Sequence, residues 1–241
     1  QPVGPDGMPP MPPMPGMGPR EPESTETDRA RSAEDDSPPT MPIEDITRDM
    51  MDNYIKNVAQ EAGELARLGF DIISMHCCYR HSPHARFLSP LTNQRTDQYG
   101  GSWENRSRFL LEIFQAIRKA VGPSIPLEVV YSVSEPEGGY TVEDTIEFCK
   151  LAEGLIDIIH LRSGEMDPQH PLGFTSTEAM PTPYLEEMGQ VCRAVHQLGL
   201  NMVVGASAGF QDPDWANRAV AEGKADLIYM ARAWINNTDY G

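Results

Sequence analysis

Positive charge is scarce in this chain. Among 241 residues, 19 Lys and Arg stand against 36 Asp and Glu, a formal net charge of −17, and no Lys/Arg cluster breaks the pattern. Such a surface repels phosphate backbones and anionic lipid, so neither nucleic acid nor a membrane surface is expected as a partner. Long apolar runs are missing as well. No stretch reaches the length of a membrane span, and Gln1 with its following prolines does not lead from a basic into an apolar segment as a secretory signal does, which makes a cytoplasmic protein the expectation. Cysteine is sparse too. Cys77 and Cys78 are adjacent, which would strain a mutual disulfide, while Cys149 and Cys192 stand singly on expected helices, so no disulfide and no zinc-type pairing are expected.

β-Branched and aromatic residues are almost lacking over residues 1–41, where a Pro, Met and Gly run gives way to a Ser, Glu, Asp and Arg mixture. Such a segment cannot bury enough apolar area to offset the entropy of ordering, so it is expected to be disordered. It reads as a flexible linker, or alternatively as a polyproline-type segment for a partner. The packed part is expected over residues 42–241.

From Pro42 onward helix and strand signals alternate, the pattern of a parallel sheet with crossover helices. The spacing of Ile46, Met50, Tyr54, Val58, Ala62 and Leu65 predicts a helix ending at Gly69, and residues 70–76 follow as a strand buried on both faces, with His76 at its C-terminal end. Ser102 can cap a helix whose apolar face is Phe109, Ile113, Ile117 and Val121, stopped by Gly122 and Pro123. Further strands are expected over residues 127–134, 157–163, 201–207 and 225–231. Helices run between them: one opened by a Thr141/Asp144 capping box and reaching about Gly154, one over residues 184–198, and one opened by Asp212 and Pro213. Five β/α repeats fit a (β/α)8 barrel lacking three strands, or a doubly wound open sheet complete as it stands.

In either fold catalytic groups gather at strand C-termini. His76, Tyr79, Arg80, His81 and His84 follow one such end, a supply of proton and hydrogen-bond donors suited to polarising a carbonyl oxygen and protonating a carbon. The alternatives are a structural histidine and a metal ligand, although no carboxylate cluster accompanies the histidines at ligand spacing. A second constellation is Ser207, Ala208 and Gly209 with Ala231 and Arg232. Small residues let backbone N–H groups approach an anion, a helix N-terminus follows, and Arg232 offers a fixed positive charge, so these residues are candidates for holding a phosphate. Arg162 and Glu165 at a third strand end read equally well as a solvated ion pair.

Residues 87–109, FLSPLTNQRTDQYGGSWENRSRF, join a strand to an amphipathic helix with a run of polar and turn-forming residues, including Asn93, Arg95, Asp97, Tyr99, Gly100, Gly101, Asn105 and Arg106, that must find hydrogen-bond partners within the fold. This stretch closely resembles a signature of the Old Yellow Enzyme family of FMN-dependent ene-reductases. PEGGYTVEDTIEF, the DPQHP turn, GFQDP and GKADLIYMARAWINN follow in family order. The resemblance covers residues 42–241 and is strongest with the branch of dienoyl-CoA reductase-like, bile-acid enoate reductase-like and isoflavone reductase-like proteins. It implies an FMN-binding (β/α)8 barrel of which this chain holds strands four to eight, with strands one to three upstream of Gln1. The implied reaction carries hydride from NAD(P)H through FMN to the activated C=C bond of an enoate, enone or dienoyl thioester. On the resemblance His76 hydrogen-bonds the substrate carbonyl and Tyr79 is the proton donor, with Arg80 beside them. Longer relatives continue into a 4Fe-4S cysteine cluster and an FAD module, so those cofactors belong to parts beyond this chain. The missing half-barrel, or another subunit, is the implied partner.

Three departures qualify the resemblance. Tyr79 and His81 occupy positions where the family has His or Asn and then Tyr, with one extra residue before Phe87. The strand LEVVYSVS has Val129, Val130 and Tyr131 where an arginine beside the flavin is usual, so Arg162 or another group must compensate. Ala208 and Ala231 replace glycines of the phosphate site. Two further readings therefore stand beside the ene-reductase: a flavin-free barrel enzyme acting on a phosphorylated substrate, and a non-catalytic half-barrel subunit.

Overall fold

The computed structural model describes residues 41–78, 82–162, 184–210 and 212–231, so the expected disorder of residues 1–41 lies outside it, Met41 apart. A 3-10 turn at Ile43–Asp45 leads into α1 (Arg48–Arg67), followed by β1 (Ile73–Cys77), α2 (Pro83–Leu88), α3 (Trp103–Val121), β2 (Leu127–Ser132), α4 (Val142–Leu151), β3 (Ile158–Arg162), α5 (Tyr184–Leu198), β4 (Val203–Ser207), α6 (Pro213–Ala221) and β5 (Leu227–Ile228). The boundaries follow cap chemistry. Ser102 Oγ accepts the Asn105 N–H at the start of α3, and Thr141 with Asp144 closes the reciprocal capping box of α4. Gly122 ends α3 with φ of 78°, a backbone conformation open to glycine at little cost. Helix α4 stops at Leu151 rather than about Gly154, and the last strand is Leu227–Ile228 rather than residues 225–231.

The strands lie in the order β1-β2-β3-β4-β5, every pair parallel. A doubly wound sheet reverses its strand order at a switch point; this sheet does not. The long helices also pack on one another in chain order, α1 on α3, α3 on α4 and α4 on α5, as they do around the outside of a barrel. Val129, Tyr131, Ile159, Leu161, Val204 and Ala206, all 0% exposed, face these helices and form the core with Phe109, Ile113, Ile117, Phe148, Met188 and Val195. Alternate strand residues face the other way and lie outside that core, so the sheet has one helix-covered face and one inner face. Strand β1 corrects the expectation of burial on both sides: only Ile73 and Cys77 are buried, while Ser74 and His76 are exposed on the inner face of an edge strand.

The 87–109 stretch finds partners within the fold for most of its polar groups, as expected, although the buried Trp103 Nε1 and Ser107 Oγ have none. Buried Asn93 donates through Nδ2 to the carbonyls of Phe87 (2.7 Å) and Tyr99 (2.8 Å). Arg95 donates to the carbonyls of Ile43 (2.7 Å) and Ile46 (2.8 Å) and pairs with Asp97, tying the loop to the segment before α1. Tyr99 reaches Glu112 on α3 at 3.1 Å, and Arg106 Nε reaches the Leu88 carbonyl at 2.8 Å. The signature is an architectural brace, and it fixes where β1 ends relative to α3.

Candidate functional site

Strand register sorts the inner face into rows. His76 pairs with Val130, Val130 with His160, His160 with Gly205, and Gly205 with Leu227, which places two imidazoles on either side of Val130. The row toward the strand N-termini holds Ser74, Glu128, Ile158 and Val203; the row toward the C-termini holds Ser132, Arg162 and Ser207.

A polar cluster knits these rows together. Ser74 Oγ donates to Glu128 Oε1 at 2.6 Å, and the Tyr229 hydroxyl donates to Glu128 Oε2. His160 stacks on the Tyr229 ring with centroids 3.6 Å apart, places Nε2 2.6 Å from Ser207 Oγ, and directs Nδ1 toward Glu128 Oε1 at 3.6 Å. That last distance is longer than a hydrogen bond and leaves Nδ1 without a hydrogen-bond partner, so the contact with Glu128 is electrostatic. Burial alone would raise the Glu128 carboxyl, yet His160 and the hydroxyls of Ser74 and Tyr229 outweigh it and lower the group to about 2. Burial and then the neighbouring carboxylate push the Tyr229 phenol up. The cluster therefore presents a fixed anion, an imidazole and a hydroxyl in series, the composition of a proton-handling site. Gly205 makes the arrangement possible, because a Cβ there would come within 2.4 Å of the Tyr229 ring.

The residues expected from sequence separate into three groups. His76 stands exposed on the inner face near the end of β1. His84, collected from sequence beside it, does not belong to the cleft: it is buried, donates through Nε2 to the His76 carbonyl (2.9 Å), and accepts the Tyr54 hydroxyl proton at Nδ1 (2.9 Å). Burial lowers its basicity, so it is a structural anchor that holds the end of β1 against α1. Ser207, Ala208 and Gly209 lie beside the residues that lead from β5 to Ala231, since β4 and β5 are neighbours; Ala208 is buried, Ala231 is exposed, and Gly209 has φ of 72°. The N-terminus of α6 next to them is already occupied by acid, because Asp212 accepts the Asp214 N–H at 2.9 Å and Asp214 sits in the first turn. Tyr79, Arg80, His81, Glu165 and Arg232 lie outside the described residues.

Sequence reasoning missed Glu128, His160 and Tyr229. Each sits inside an apolar strand pattern, and only register brings them together; the one available signal was a charged residue and a histidine at inward positions of otherwise buried strands.

A singly wound parallel sheet with its polar groups on the inner face and its small residues at the strand ends defines an arc of a (β/α)8 barrel. The chain belongs to the NADH:flavin oxidoreductase / NADH oxidase family, whose profile matches residues 12–241. It is 30% identical over 208 residues to an NADH oxidase of Thermoanaerobacter brockii, a match covering 83% of this chain and 30% of that protein. It is also 30% identical over 193 residues to an NADPH dehydrogenase of Bacillus cytotoxicus, covering 80% and 52%. Among solved structures a 2-naphthoyl-CoA reductase complex superimposes with a TM-score of 0.69 at 31% identity, covering 78% of this chain and 28% of that one, and morphinone reductase with 0.57 at 25%, covering 80% and 48%. An old yellow enzyme homologue from Zymomonas mobilis shares the fold with a TM-score of 0.63 at 22% identity. The Old Yellow Enzyme resemblance and the barrel fold are thereby borne out. The chain spans about half, or less, of the length of these relatives.

Proposed function

We propose that this chain is the strand-four-to-eight part of a flavin-dependent NAD(P)H oxidoreductase that reduces the activated C=C bond of an enoate, enone or dienoyl thioester. The observation that carries the reading is the inner-face row in which His76 stands beside Val130 and His160 near the strand C-termini. His76 would donate a hydrogen bond to the substrate carbonyl oxygen, where negative charge develops as the alkene is reduced. Tyr79 would protonate the neighbouring carbon, and Arg80 would supply positive charge beside them. Residues Ser207, Ala208, Gly209 and Ala231, with Arg232, fit a phosphate group through small side chains and backbone N–H groups at adjacent strand ends. When bound there, FMN supplies two-electron transfer between a nicotinamide and the alkene. The strand that usually carries the ring-side arginine has Val129, Val130 and Tyr131 instead; among the described residues His76 and His160, the latter kept in place by Glu128 and Tyr229, flank Val130, and Arg162 lies one row nearer the strand C-termini.

Complementary β/α units, on the same polypeptide or another, would complete the barrel. Phe70, Ile72, Val203 and Leu227 support this, since they are 54%, 46%, 38% and 42% exposed around an inner face with two edge strands, surface that a closed barrel would bury. The 4Fe-4S and FAD modules implied by the resemblance would lie in segments beyond those present, residues 1–41 would be a separate tail, and the protein would work in the cytoplasm. The lack of an arginine among Val129, Val130 and Tyr131 also favours a second reading, a flavin-free barrel enzyme using the same strand ends for a phosphorylated substrate.

The native protein, purified with whatever chains accompany it, decides between them: a yellow preparation with a flavin band supports the first reading and eliminates the second. Tyr79→Phe should then slow alkene reduction about a hundredfold or more while reduction of the flavin by NAD(P)H stays nearly intact. Equal loss in both half-reactions would sink the role of Tyr79. Arg232→Ala should release flavin, and unchanged flavin content would remove Arg232 from the phosphate site.

A further inference from the structure

At the opposite end of the sheet from Ser207 and Ala208, three side chains of metal-binding type converge. Cys192 and His196 are one helical turn apart on the same face of α5, and Asp226 lies on the turn that enters β5. The Cys192 thiol sulfur, a His196 ring nitrogen and an Asp226 carboxylate oxygen all lie within 4.8 Å of one another, and His196 Nε2 stands 3.0 Å from Asp226 Oδ1. Among the described residues this is the one group of three His, Cys, Asp or Glu side chains gathered at that spacing.

The backbone prepares the carboxylate. Asp226 Oδ2 accepts the Val204 N–H at 2.9 Å while the Asp226 N–H donates to the Val204 carbonyl at 2.7 Å, so one oxygen is fixed by β4 and the other is turned toward the helix. A hydrogen bond to the non-ligating oxygen is the usual way an outer shell holds a metal carboxylate. Access is also graded: Cys192 is buried, Asp226 is 29% exposed and His196 is 54% exposed, so an ion can enter from solvent past the imidazole and reach the thiol beneath it.

We propose that Cys192, His196 and Asp226 form a zinc site that clamps the last turns of α5 to the start of β5, with water as the fourth ligand. One sulfur, one imidazole nitrogen and one carboxylate oxygen suit a borderline-soft, tetrahedral dication; calcium and magnesium prefer oxygen alone, and copper(I) prefers more sulfur. Binding takes the His196 Nε2 lone pair, so the ring proton resides on Nδ1, and it displaces the Cys192 thiol proton to solvent. Affinity therefore falls as pH is lowered. The site is remote from the strand C-termini, so zinc acts on the fold and leaves the oxidoreductase chemistry to the other end of the sheet.

The test uses the purified full chain, stripped with a chelator and titrated with cobalt(II). One equivalent should produce a near-ultraviolet thiolate-to-cobalt band and visible bands of tetrahedral intensity, and one equivalent of zinc should abolish them. Cys192→Ser should remove the near-ultraviolet band. His196→Ala, at a half-exposed position that the fold does not need, should lower zinc affinity at least tenfold. Cys149→Ser, at a buried thiol on α4, should leave all bands in place. Absence of any band at one equivalent, or a thiolate band that survives Cys192→Ser, would overturn the assignment, as would equal zinc affinity in His196→Ala.

Discussion

Replacing Glu128 by Gln tests the inner-face cluster most directly. The carboxylate takes hydroxyl protons from Ser74 and Tyr229 and faces His160 Nδ1 at 3.6 Å. A carboxyl held at about 2 instead of the ordinary 4.5 stabilises the folded state at neutral pH by roughly 3 kcal/mol. The inner face is open to water beside Ser74 and His76, and screening lowers the realised figure to about 2 kcal/mol. Because the folded carboxyl is the stronger acid, this contribution is complete above about pH 4.5 and is lost as pH falls toward about 2. Glutamine keeps the shape but offers one accepting oxygen, and its NH2 confronts a hydroxyl donor. Urea unfolding of the Glu128→Gln protein near neutral pH should show a lower midpoint at unchanged slope, about 2 kcal/mol less stable than the parent. The gap should narrow steadily between about pH 5 and about pH 3, since only the parent loses an ionised group's contribution there. Two stability curves that remain parallel across that range would refute the claim that Glu128 is ionised and held by its donors.

Gly205→Ala should reach the same cluster from behind: its Cβ would come within 2.4 Å of the Tyr229 ring, so the ring must leave its stack on His160, and the variant should reproduce the reduced acid sensitivity of Glu128→Gln. Arg95→Ala should cost about 2–3 kcal/mol by chemical denaturation, because the carbonyls of Ile43 and Ile46 lose their donor and Asp97 its partner; a loss under about 0.5 kcal/mol would mean the brace is not used. Gly100→Ala should be as severe, on the order of 3 kcal/mol, since a Cβ would lie 2.0 Å from the Arg95 carbonyl oxygen, and an unchanged thermal midpoint would contradict the loop geometry.

The legible part of this protein was the local part. Cap residues such as Ser102, Thr141 and Asp212 announce helix starts because their side chains bond backbone groups only a few positions away. Short apolar runs between those helices announced the parallel strands, and the polar signature of residues 87–109 announced the family and its brace. His76 was singled out because strand C-termini are where a βα fold exposes functional groups, and it does stand exposed near the end of β1. His84 was misplaced in the cleft because proximity in sequence does not reveal that α2 turns its ring inward to Tyr54 and the His76 carbonyl.

By itself the sequence determined the five strands, the long helices between them, their order and the family, all of which rest on contacts between near neighbours or on long matching strings; the short α2 and the 3-10 turn at Ile43–Asp45 were not read from it. Tertiary structure decided the rest. Between a barrel arc and a doubly wound sheet the choice rests on strand order, which no local pattern encodes. The meeting of Glu128 with His160 and Tyr229, and that of Cys192 and His196 with Asp226, each spans thirty residues or more. Such groups meet because a parallel ladder fixes which residue faces which across strands, and a crossover helix returns a distant turn to the strand end it caps.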